Sequence, residues 1–116
     1  TDELEAHCQR YAQNREILMA GLPRQMVEGA APCDGAFYLY ADISHFSDDA
    51  LKFADSLLAR EGVAVTPGVD FDPDNGHQYV RLSFAGRTQD MHEACKRIHR
   101  FVGDLSSNVA VKLAGF

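Results

Sequence analysis

The sequence predicts a single small α/β domain: an α+β sandwich in which a small mixed, mostly antiparallel sheet carries helices on one face and is preceded by a long N-terminal helix. Three observations predict it. Runs with helical spacing at the start, middle and end of the chain are interleaved with short β-rich runs; Gly and Pro clusters punctuate them; and 116 residues at 46% hydrophobic content suffice for one core and not for two.

The elements follow in order. Leu4, Cys8, Tyr11, Leu18 and Leu22 lie at helical spacing, interrupted by Arg15, and Gly21-Leu22-Pro23 closes the run, so residues 1–22 are expected as a helix that continues upstream in a longer parent chain. After the turn-rich "EGAAPCDG", the aromatic and branched run "AFYLYADI" predicts a strand over 37–43. Ser47 is the expected N-cap of the next helix, with Asp48 and Asp49 in the first turn where negative charge suits the helix dipole, and Gly62 is its expected stop. "VAVT" predicts a strand over 63–66 ended by Pro67-Gly68. In "YVRLSFA", Val80, Leu82 and Phe84 face one way and Tyr79, Arg81 and Ser83 the other. Thr88 is expected to cap a last helix with the stripe Met91, Ala94, Cys95, Ile98, Phe101, Val102 and Leu105. Residues 106–116, "SSNVAVKLAGF", lack a clear period and are expected as a frayed or disordered tail.

A right-handed crossover places strands 37–43 and 63–66 parallel with a gap between them, which strand 79–85 fills antiparallel to both. The apolar side of that middle strand must meet the helices. Arg81 therefore points out of the opposite face.

Composition narrows the function. A net charge of −6, with 17 acidic against 11 basic side chains, disfavours a nucleic-acid backbone or an anionic membrane as partner. No apolar run approaches the ~20 residues that span a bilayer, and the polar opening "TDELEAHCQRYAQNRE" does not follow a signal-peptide pattern, so a cytoplasmic location is expected. Cys8, Cys33 and Cys95 are odd in number and widely spaced, which points to reduced thiols.

Two metal-like patterns have simpler explanations. Asp70, Asp72 and Asp74 occupy the first carboxylate positions of a calcium loop, but its sixth place is Asn75 instead of Gly and its twelfth is Arg81 instead of Glu. A tight turn at Pro73-Asp74-Asn75-Gly76, with Asn and Gly tolerating positive φ, accounts for the composition. His92, Cys95 and His99 share a side of the last helix, yet Cys95 falls on the buried stripe, so solvated histidines beside a core thiol are expected.

Three blocks carry a family resemblance: "GAFY" at 35–38, "GVAVTPG" at 62–68 followed by Phe71, and "YVRLSFA" at 79–85. With their spacing they resemble the C-terminal small domain of class I/II pyridoxal-phosphate aminotransferases of the aspartate aminotransferase fold, over roughly residues 1–105. The resemblance implies a linking helix at 1–22, the small domain at 23–105 and the tail at 106–116. It implies that Arg81 binds the α-carboxylate of an amino-acid or 2-oxo-acid substrate, a task suited to a planar guanidinium on a rigid strand. Phe37 matches the family position whose ring lies near that arginine and lines the substrate side; a plain core role is equally open, since both faces of "FYLYADI" are apolar. Gly68 and Phe71 match the loop near the substrate entrance.

The resemblance further implies pyridoxal 5'-phosphate, a large domain that binds it, and a homodimeric parent. The Schiff-base lysine belongs to that large domain, and neither Lys52, Lys96 nor Lys112 sits in its motif, so this chain is expected to be inactive alone. The same fold also serves lyases, decarboxylases and synthases. The alternative is a free-standing ligand-binding or regulatory module, which would present a polar outer sheet face; the small-domain reading instead leaves Phe37 or Tyr38 uncovered.

Overall fold

The computed structural model describes residues 2–30, 37–70 and 72–114, with side chains described over 5–30, 37–70 and 72–105. Helix α1 (Asp2–Gly21) leads into a short helix α2 (Arg24–Glu28), strand β1 (Tyr38–Asp42), helix α3 (Ala50–Glu61), strand β2 (Thr66–Pro67), strand β3 (Tyr79–Ser83) and helix α4 (Thr88–Ala114). Single 3₁₀ turns at Gly68–Asp70 and Gly76–Gln78 connect β2 to β3. The helical backbone of α4 continues through 106–114, the stretch read as an aperiodic tail.

The sheet has the expected order, β1-β3-β2, with β3 in the middle. Both neighbouring pairs are antiparallel, so the mixed character reduces to β1 and β2 running the same way on either side of β3. β2 overlaps the expected 63–66 only at Thr66 and includes Pro67, the residue expected to end it. Pro67 has no N–H to give the ladder, and Val63 and Val65 instead lie partly buried against the core.

Register divides the sheet into two chemically different faces. Leu39, Ala41, Val80 and Leu82 point into the helical layer and are buried, where they meet Leu18 of α1, Met26 of α2, Phe53 and Leu57 of α3, and Ile98 and Phe101 of α4. Phe53 and Phe101 contact edge to face at 5.2 Å. Helix α2 had no signature in the sequence, because five residues between Pro23 and Gly29 are too few to show a period; Met26 nonetheless reaches 0% exposure.

Capping departs from expectation at two places. Asp49, not Ser47, is the N-cap of α3: its carboxylate accepts from the Lys52 amide at 3.1 Å, while the Ser47 hydroxyl accepts from the Asp49 amide at 3.0 Å. At α4 the Arg87 carbonyl accepts the Asp90 and Met91 amides, and the Thr88 hydroxyl donates to Asn14 Oδ1 at 2.8 Å instead of capping its own helix. Gly62 ends α3 as expected, in the left-handed conformation at φ 70°, with its amide on the Leu58 carbonyl.

Asn14 ties α1 to the sheet. It is fully buried, and its Nδ2 donates to the carbonyls of Phe84 at 3.0 Å and Gly86 at 2.8 Å while Oδ1 receives Thr88. From there α1 and α4 run side by side in the same direction, with Gly21 so close to Cys95 that a Cβ on it would stand 2.9 Å from Sγ. The turns of α1 before Tyr11 project past the start of α4, which is why Cys8, placed on the apolar stripe by its spacing, is exposed. Asn14→Ala strips the partner from two carbonyls and a hydroxyl, and an urea-unfolding titration is expected to show a loss of about 2–4 kcal/mol. Asn14→Leu is expected to lose at least as much, since size without donors does not satisfy the carbonyls.

The other join is between α3 and α4. Arg100 meets the largely covered Glu61 carboxylate at 2.6 Å in a forked contact, and Arg97 donates to the Glu61 main-chain carbonyl at 2.8 Å. The hydrogen bond from Arg100 holds the Glu61 carboxyl below the usual glutamate range, helped by the charges of Arg100, Arg97 and Arg60 and opposed by partial burial. A carboxyl lowered on folding contributes stability above its unfolded pKa and loses it as pH falls through the folded value. The stability advantage of the parent protein over Glu61→Gln is therefore expected to be constant near neutrality and to shrink as pH drops below the ordinary glutamate range, measured as the gap between melting temperatures.

Candidate functional site

The face of the sheet turned away from the helices is built by Tyr38, Tyr40 and Asp42 of β1, Tyr79, Arg81 and Ser83 of β3, and Thr66 of β2, which register places side by side. Arg81 stands at its middle, opposite Tyr40 on one side and Thr66 on the other, and is half-buried. The orientation expected from alternation in "YVRLSFA" is the one observed.

Aromatic rings surround this arginine. The Arg81 Cζ lies 4.2 Å from the centroid of the Tyr38 ring, and Tyr40 stacks on Tyr79 at 4.5 Å with the planes 17° apart. Tyr40 is buried although it sits on the outer face, because the segment leaving β2 closes over it: a Cβ on Gly68 would stand 2.7 Å from the Tyr40 hydroxyl and 2.5 Å from the Gly76 carbonyl oxygen. Only glycines allow the two stretches of main chain to touch there.

Phe37 is placed differently from its expected neighbourhood. Its carbonyl accepts the Phe84 amide at 2.8 Å, which puts it in register with Phe84 and on the opposite side of the sheet from Arg81. Its ring meets Tyr11 at 4.9 Å and Phe84 at 6.3 Å, both edge to face. The ring against the guanidinium is that of the next residue, Tyr38. Sequence reasoning passed over Tyr38, Tyr40 and Tyr79 as site residues; parity with Arg81 was the available signal, but "FYLYADI" is apolar on both faces and does not disclose its register. Phe37 and Tyr38 are 39% and 38% exposed, so rings at this edge are uncovered.

The calcium-like stretch is organised as a turn. Asp72 Oδ1 accepts from the amides of Asp74 and Asn75, both at 3.2 Å, and its carbonyl accepts the Gly76 amide. The turn needs no positive φ: Asn75 has φ −118°, and Gly62 alone among the described residues is left-handed. On α4, His92 and His99 are exposed, His99 Nε2 lies 2.9 Å from the Gly21 carbonyl, and Cys95 is buried with its thiol pKa raised by burial. Among the described residues no three His, Cys, Asp or Glu side chains are grouped to hold a metal ion. Cys33, Gly35 and Phe71 lie outside the described residues. Lys52 and Lys96 are exposed on α3 and α4, in the helical layer on the far side of the sheet from Arg81.

The family described as "Aminotransferase class I and II" matches residues 1–98. Valine--pyruvate aminotransferase of Mycobacterium tuberculosis is 49% identical over 98 residues, covering 84% of this chain and 25% of that protein. Aspartate/prephenate aminotransferase of Thermus thermophilus is 38% identical over 93 residues, covering 80% and 23%. Among solved structures, an aminotransferase from Mycobacterium tuberculosis superposes with TM-score 0.82 at 46% identity over 89% of this chain and 27% of its own. The aspartate aminotransferase of Thermus thermophilus with maleate gives TM-score 0.65 at 35% identity over 79% and 23%. The chain thus spans about a quarter of the length of the curated relatives it matches. Sequence blocks, sheet order and superposition agree, and the chain belongs to the class I and II aminotransferases.

Proposed function

We propose that this chain is the substrate-carboxylate-binding small domain of a pyridoxal-phosphate-dependent aminotransferase that moves an amino group between an amino acid and a 2-oxo acid. The observation that carries the reading is Arg81: a guanidinium mounted mid-sheet on β3, on the face the helices leave open, with a ring against it. A planar fork on a strand fixed by pairing on both edges offers two parallel charge-assisted bonds to a carboxylate, and so fixes the direction of the remaining bonds at the substrate's Cα. Relatives named for valine, pyruvate, aspartate and prephenate differ in side chain, but each of those compounds carries a carboxylate. Phe37, turned to Tyr11 and Phe84 on the helical side of the sheet, is left out of the carboxylate site, and Tyr38 is the ring beside Arg81.

The described residues do not fit the cofactor itself. Its aldehyde needs an amine beside the substrate, and Lys52 and Lys96 stand in the helical layer on the other side of the sheet. No chemical step is assigned to this chain through that group, which the large domain of a homodimeric, cytoplasmic parent would hold. By the same reasoning the purified 116 residues are expected to show no transamination of any amino acid, and measurable turnover would overturn this reading.

In a full-length protein containing this chain, Arg81→Lys keeps the charge and loses the fork. It is expected to raise KM for amino-acid and 2-oxo-acid substrates by about 10- to 100-fold, the range for losing a charge-assisted hydrogen bond. Steady-state kinetics that leave KM unchanged would remove Arg81 from the site.

A further inference from the structure

The ring of Tyr38 is seated on Arg81, its diagonal neighbour on the paired strand. We infer that Tyr38 is a positioning residue: it holds the Arg81 guanidinium by its face so that the guanidinium edge stays directed at the substrate's carboxylate. The inference deepens the assignment of Arg81 as the carboxylate-binding group and rests on it.

The geometry separates two uses of one cation. The five N–H donors of a guanidinium lie in its plane, so a ring stacked flat on that plane, which the 4.2 Å from Cζ to the Tyr38 centroid allows, does not consume the donors a carboxylate needs. A ring also differs from an acidic partner. Its quadrupole attracts the cation without neutralising it. An arginine side chain loses rotamer freedom when it is ordered, and a ring that restricts it beforehand lowers the cost of ordering it when substrate arrives.

Register explains why this role falls to residue 38. Tyr38 pairs with Ser83 and is therefore the diagonal neighbour of Arg81 on the same face, within reach of a long aromatic side chain. The small Ser83 opposite leaves the ring room to lean toward Arg81. Tyr40, directly opposite Arg81, is committed to the stack on Tyr79 and covered by Gly68, and Phe37 is turned to Tyr11 and Phe84 on the other side of the sheet.

The test uses the full-length protein with Tyr38→Val, Tyr38→Phe and a series of increasingly fluorinated phenylalanines at position 38. Tyr38→Val keeps strand propensity and removes the ring; KM for the amino-acid substrate is expected to rise about three- to tenfold, as for a cation–π contact partly open to water, with a smaller change in kcat. Tyr38→Phe restores KM to within about twofold, because the face of the ring, not its hydroxyl, makes the contact. The fluorinated series preserves shape while draining charge from the ring face, so KM is expected to climb with each fluorine, a response that simple packing would not give. It remains decisive if the Val variant fails to fold. A KM that is flat across the series, or a Tyr38→Phe loss equal to that of Tyr38→Val, overturns the role of the ring. Arg81→Lys measured alongside separates the two ideas: if it raises KM while the position 38 series stays flat, Tyr38 alone is wrong; if it leaves KM unchanged, the Arg81 assignment itself fails.

Discussion

The amide of Asn14 gathers three stretches of chain at one buried point. Its donors hold the carbonyls of Phe84 and Gly86, just past the end of β3, and its oxygen takes the Thr88 hydroxyl at the start of α4. The direction of β3, and with it the direction of Arg81, is thereby referenced to α1. Buried side-chain amides are stable only when their hydrogen-bonding capacity is used, and here three of the four possible bonds are made within the fold. A helix that would otherwise touch the sandwich only along a narrow apolar seam becomes part of the frame that aims the site.

The sheet then does the sorting. With two residues per pleat, Leu39, Ala41, Val80 and Leu82 go to the core, and Tyr38, Tyr40, Tyr79 and Arg81 go to the open face. A one-residue slip of β1 would bring Phe37 and Leu39 beside Arg81 in place of Tyr38 and Tyr40. The register that buries the aliphatic set is thus the same register that furnishes the arginine with rings, and packing and site cannot be altered independently.

Much of this was legible in the sequence, and the exceptions have physical causes. Strong alternation in "YVRLSFA" disclosed the orientation of Arg81, and the stripe from Met91 to Leu105 disclosed the helix that covers the far side. The ring on Arg81 was not legible, because alternation fixes faces within a strand while the pairing between β1 and β3 is a tertiary fact. Asn14 reads as one more polar residue on a helix until its carbonyl partners, seventy residues away and more, are brought to it. Ser47 and Asp49 are both good caps by chemistry, and only the backbone decides which of them faces the free amides. Helix α2 and the shortness of β2 are outcomes of burial and of Pro67, neither of which leaves a periodic trace.

The meeting of Gly68 and Gly76 governs how this edge of the molecule can move. Main chain rests on main chain there, the Asp72 and Gly76 amides are spent on carbonyls within the same loop, and the Gln78 carbonyl is fastened to the Ile43 amide beyond β1. At these described points the connection is tied to the sheet and to itself, which opposes its swinging as a separate flap. A displacement of this edge would therefore take the sheet and these anchored residues together, and Arg81 and its rings would keep their mutual geometry.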